Sequence, residues 1–195
     1  MGCALVQARS KWSSGWDGRV GSPSHSAIQR RIQGEAVAVD LPGGRTLFAL
    51  LRSDDDVDWA GNVMQAVAPR FEGEPFEEKF DNVLLVAGEV ALPRMWPPIA
   101  PGLRQSGYPI LVTFADLTDP TSVARVDPED LAATFGEGVA LRRITVQLTD
   151  DPVTTGIEER LGWIGRIKEM NLSLEDFPPS FPVGDFSGLF MKVNS

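Results

Sequence analysis

Six aspartates stand just beyond the ends of apolar segments: Asp116, Asp119, Asp127, Asp130, Asp150 and Asp151. Carboxylates brought face to face across a cleft about 5–10 Å wide can run acid–base or glycosidic chemistry, so these six are the candidate catalytic set. The same residues also start turns and helices. Asp119-Pro120, Asp127-Pro128 and Asp151-Pro152 each read as a turn or cap dipeptide, which is the stronger reading. Asp54, Asp56 and Asp58 have the first three ligand spacings of a calcium loop. The position that needs glycine is Trp59 and the closing glutamate is Gln65, so they read as acids at a helix start.

Other chemistries lack their residues. The one histidine, His25, lies between Ser24 and Ser26 in a stretch without periodicity, a poor place to hold a general base to within an ångström. One histidine and one cysteine cannot make a His- or Cys-based zinc site. No Walker loop or dinucleotide fingerprint follows a strand, so no cofactor is expected. Gly2-Cys3 is the dipeptide at which bacterial lipoprotein signals are cut, which makes Cys3 the lipidation candidate. No run approaches the roughly 18 apolar residues of a membrane helix.

The net charge is −9, and residues 1–34 hold five basic groups against the single acid Asp17. The remaining body is therefore more acidic still and repels a phosphate backbone, so no nucleic-acid partner is expected. Residues 1–33 read as a disordered or loosely attached basic leader, because SKWSSGWDGRVGSPSHS has neither a period of two nor one of 3.6.

Residues 34–195 must supply the scaffold. Residues 35–41 and 46–51 flank Pro42-Gly43-Gly44 and form a β-hairpin, whose second strand is apolar on both faces and needs cover on both sides. Trp59, Val63 and Val67 share a helical face, and that helix must stop before Pro69. A second helix is expected over 75–86. The proline-rich stretch 91–109 reads as an extended crossing pinned by Met95, Trp96 and Ile99. Residues 110–114 are a buried strand and 122–126 a weaker one. Asp127 should cap a helix ending at Gly136, 140–148 should form a strand, and Thr155 with Glu158 should box the start of a helix over 157–168. The tail 172–190 carries Leu172, Leu174, Phe177, Phe181, Phe186, Leu189 and Phe190. It fits a groove of its own domain, or else serves as a strap for a protein partner. The sum is a single α+β domain with a largely antiparallel sheet of at least four strands and about four helices.

The segments GEAVAVDL, GRTLFALL and ILVTFADLTDPTSVARVDPEDLAATFGEGVALRRITVQLTDDPVTTGIEERLGW, with the aromatic tail, resemble a family of bacterial predicted lipoproteins and exported proteins with no assigned activity. The resemblance covers about residues 33–195 and is most specific over 110–163. It implies a cell-envelope location, with a signal sequence ending in a Gly-Cys-like site and a first strand pair ahead of Gly34. The Ser/Gly/Trp segment departs from that pattern, and a shifted reading frame near residues 9–30 would account for it. The expected function is that of a non-catalytic envelope domain binding a protein or small ligand. The alternatives are a hydrolase using paired Asp carboxylates and a soluble cytoplasmic protein.

Overall fold

The computed structural model describes residues 3–6, 9–12, 30–75, 82–98, 105–147, 156–179, 181 and 190–192. Its centre is a four-stranded antiparallel sheet in the order β4-β5-β7-β8, formed by β4 (Val37–Leu41), β5 (Arg45–Ala49), β7 (Leu111–Phe114) and β8 (Val123–Arg125). The β4–β5 pair is the expected hairpin. Leu41 faces Arg45 across Pro42-Gly43-Gly44, and both glycines take positive φ (86° and 75°), which a side chain would resist.

Alternation along these strands splits the core in two. Leu47, Ala49 and Leu111 turn to one face with Trp59, Val63 and Met64 of α1 (Trp59–Val67) and with Ile144 and Val146. Phe48, Val112 and Phe114 turn to the other with Leu161, Trp163 and Phe190. Both faces of β5 are thus covered. The helix α1 ends where expected: Ala68, just before Pro69, is already extended at ψ 140°.

A second sheet, β1-β9-β6, covers the α1 side and consists of β1 (Cys3–Val6), β9 (Arg143–Gln147) and β6 (Glu89–Ala91). A third, β10-β3-β2, joins β2 (Arg9–Trp12), β3 (Arg30–Glu35) and β10 (Met191–Lys192). All described strand pairs are antiparallel except β1 with β9. The fold is α+β.

Several local expectations are corrected. Within the leader, Cys3–Val6 pairs with β9 and Arg9–Trp12 with β3 instead of lying loose, while the Ser/Gly/Trp stretch over 13–29 lies outside the described residues. Backbone pairing asks for a partner edge rather than a clean side-chain period, so weak patterning hid them. The helix at 127–136 shortens to α2 (Leu131–Phe135), capped by Asp130 instead of Asp127. The helix over 157–168 splits into α3 (Ile157–Arg160) and a 3-10 stretch, Ile164–Glu169. Its start is capped from afar: the Glu35 carboxylate accepts from the Gly156 and Ile157 N–H groups at 2.8 Å each, while Thr155 lies outside the described residues. Of the helix over 75–86, the described end is one 3-10 turn, Asn82–Leu85. Among the described residues no helix is long and apolar enough to cross a membrane.

The tail closes the far core. Phe190 is fully buried, its ring centroid 5.7 Å from Trp163, 5.8 Å from Phe114 and 6.2 Å from Phe48, while Phe177 and Phe181 are buried nearby. Phe177, Phe181 and Phe190 thus pack into the domain's own core. Phe186 and Leu189 lie outside the described residues.

Candidate functional site

Four of the six candidate aspartates are described, and each accepts hydrogen bonds from its own turn. Asp116, just past β7, takes the Thr118 N–H and hydroxyl at 2.8 Å each. Those two donors hold its carboxyl below the ordinary carboxylate value. Asp119 takes the N–H and hydroxyl of Thr121 at 2.9 and 2.7 Å, opening the 3-10 turn Pro120–Ser122. Asp127 accepts from the Glu129 N–H at 2.8 Å, and Asp130 caps α2 through the Ala133 N–H at 3.0 Å. Asp150, Asp151 and His25 lie outside the described residues. Cys3 opens β1, its Cα opposite that of Arg143.

The calcium-like trio is likewise dispersed. Asp54 meets Arg125, while Asp56 accepts from the Asp58 N–H and from Asn62 Nδ2, each at 2.8 Å. Among the described residues no group of three or more His, Cys, Asp or Glu side chains could hold a metal ion.

One of the six, Asp127, nevertheless borders a cleft of about 470 Å³, within the roughly 300–1,000 Å³ of small-ligand pockets. The proline-rich stretch builds one wall by doubling back instead of crossing. Met95 and Ser106 pair as an antiparallel bridge, and Trp96 N–H donates to Gln105 O at 2.8 Å. Met95 is left exposed and Trp96 is half-buried against the core, so of these two only Trp96 acts as a pin; Ile99 lies outside the described residues. Gly107 N–H donates to Arg94 O at 2.9 Å, and the Trp59 indole N–H donates to Gly107 O at 3.3 Å, clamping this arm on α1. Gly107 is obligatory here, since a Cβ would come within 1.9 Å of Pro93 O. Asp55, in the loop between β5 and α1, ties the arm down, its two oxygens accepting from the Ser106 N–H at 3.1 and 2.8 Å.

The opposite wall is the sheet edge at Leu111, Arg125 and Val126, running into Asp127-Pro128. Two arginines face this space. Arg125 reaches both oxygens of Asp54 through the single nitrogen Nη2, at 2.7 Å each. Arg94 is paired with Glu129 through Nη1, and its Nη2 stands 4.0 Å from Asp127 Oδ1. The one lining serine hydroxyl, on Ser106, donates to Tyr108 O at 2.9 Å. The cleft therefore offers guanidinium and carboxylate groups around an apolar wall, which is recognition chemistry.

The arginines, Ser106 and Tyr108 escaped the sequence reading. Arg125 and Asp54 are 71 residues apart, and nothing in the spacing of two isolated charges announces that folding will join them. The one available signal was the glycine among prolines at Gly107. No protein-family model, curated protein or solved structure matches the chain.

Proposed function

We propose that the protein is a non-catalytic binding domain of the bacterial cell envelope, and that its ligand is a small molecule held in the cleft between the paired segments 94–98 and 105–108 on one side and β8 on the other. The observation that carries this reading is how the acids are used. Asp116, Asp119 and Asp130 are acceptors within their own turns, and the acids at the cleft meet arginines or backbone N–H groups. A hydrolytic pair needs one carboxyl poised to give a proton beside another poised to attack or activate water. Here Asp54 is paired with a guanidinium, and Asp55 with a backbone N–H and the Ser53 hydroxyl at 2.8 Å. The cleft's size and its mixed lining support a binding role. The envelope location rests on the resemblance to exported proteins and on Gly2-Cys3.

Two measurements test it. Titrating the full chain with a mixed set of small polar and apolar compounds, followed by amide NMR, should shift the Ser106, Tyr108 and Arg125 signals while leaving every compound intact. Turnover that disappears in Asp54→Asn or Asp127→Asn would instead make the protein a carboxylate hydrolase. Fractionation of cells should find the wild type with membranes and Cys3→Ala released. Identical soluble behaviour of the two would remove the envelope assignment.

A further inference from the structure

Arg125 and Asp127 are placed as two ends of a charge ruler. Val126 between them is buried, and its N–H donates to Leu111 O at 2.9 Å, so the chain is still extended there. Residues i and i+2 of an extended chain share a side, about 6.6 Å apart at 3.3 Å per residue. Both residues border the cleft on that exposed side.

Each also has capacity left. Arg125 engages Asp54 through Nη2 alone, so among the described residues its Nε and Nη1 have no hydrogen-bond partner. Asp127 uses Oδ1 for both the Glu129 N–H and the 4.0 Å approach of Arg94, and Oδ2 has no partner among the described residues. A guanidinium edge and a carboxylate oxygen thus stand unfilled at the two ends of one extended step.

The charge of the surroundings selects the ligand. Arg94 and Arg125 border the cleft with Asp54, Asp55 and Asp127, and Glu129 adds a further negative charge beside Arg94. A phosphate dianion would meet the arginines only in the company of these carboxylates, and like charges so close oppose it. A molecule with one positive and one negative end is repelled by neither set. At about 3.3–3.6 Å per residue, the ends of an extended dipeptide stand about 7 Å apart, close to the backbone step from Arg125 to Asp127 that carries the two charges. Met95, Tyr108 and Pro128 supply apolar wall for its side chains.

We infer that the cleft takes a short peptide with free ends and apolar side chains, its carboxylate on Arg125 and its ammonium on Asp127, an assignment that rests on the cleft being the binding site. Asp54 is then an internal competitor for Arg125, which the ligand carboxylate joins from the guanidinium's open edge.

The test is calorimetric and NMR titration of the full chain with Leu-Leu, its N-acetyl and C-amide derivatives, free leucine and inorganic phosphate. Leu-Leu should bind with shifts at Ser106, Tyr108 and Arg125, and blocking either end should weaken it about tenfold, the size of one charge-assisted contact. Arg125→Gln should weaken Leu-Leu about tenfold. Asp54→Asn should strengthen it, because the guanidinium loses its competitor. Asp127→Asn should abolish the difference between Leu-Leu and its N-acetyl derivative. Equal affinity of the blocked and free peptides overturns the proposal, as does weaker binding by Asp54→Asn or preferential binding of phosphate. If the blocked peptides or phosphate shift the cleft signals while Leu-Leu does not, the peptide assignment falls and the binding site stands. If no probe shifts them, both fall.

Discussion

Replacing Phe190 by alanine probes whether the C-terminal tail is part of the domain or an attachment to it. Phe190 is fully buried, and its ring lies edge-on to Phe48 at 80° and to Trp163 at 90°, with Phe114 tilted beside it. Its backbone is engaged as well: Ala36 N–H donates to Phe190 O at 2.6 Å, next to the β10–β3 pairing. Truncating a buried Phe costs about 3–5 kcal/mol through lost transfer energy and the cavity left behind. Three aromatic neighbours, each worth about 0.5–1.5 kcal/mol beyond burial, place Phe190→Ala at the upper end, about 5 kcal/mol. A typical domain has only about 5–15 kcal/mol in total. Urea unfolding followed by tryptophan fluorescence reads the loss directly, as a lower midpoint with an unchanged slope. Phe71→Ala is the control, because that ring is 55% exposed; its midpoint should move by less than about 0.5 kcal/mol equivalent. A Phe190→Ala loss below about 1 kcal/mol would refute the reasoning, since a core ring cannot be removed so cheaply.

Other perturbations reach other parts of the fold. Gly107→Ala drives a Cβ into Pro93 O, so a loss of about 1–3 kcal/mol is expected in the same unfolding assay, with displaced Ser106 and Tyr108 amide signals. Glu35→Ala removes the acceptor of the Gly156 and Ile157 N–H groups; thermal unfolding should show a loss of about 1–2 kcal/mol, and Glu35→Gln, which keeps an oxygen, a smaller one. Acid sensitivity follows from three carboxyls held below their ordinary value. Arg160 and then Thr46 do so for Asp40, and the N–H and hydroxyl of Thr118 and of Ser173 do so for Asp116 and Asp176. The unfolded chain binds these protons first on acidification. Stability should therefore be level above about pH 5 and fall as pH drops through and below the unfolded value near 3.9. Urea midpoints at neutral and acid pH should show that fall, and it should flatten in a combined Asp40→Asn, Asp116→Asn, Asp176→Asn variant.

Local chemistry was readable wherever a residue acts on its own neighbours. The Pro42-Gly43-Gly44 hairpin, the stop of α1 before Pro69 and the Asp119 turn all close within a few residues. The double apolar face of residues 46–51 likewise implied a sheet covered on both sides, and the two cores meet that demand. Asp127 misled as a helix cap because Pro128 suits the first position of a helix and the first corner of a turn equally. Its N–H acceptor role at Glu129 ends in a turn, and α2 is capped three residues later by Asp130.

Patterning along the chain established the α+β class and the hairpin, since these depend on residue type and period. Packing alone decided that Glu35 caps a helix more than a hundred positions away, that Arg125 finds Asp54, and that the proline-rich arm folds back to wall a cleft. Such contacts are selected by the shape and burial of whole elements. An isolated charge or proline carries no periodicity from which its distant partner could be read.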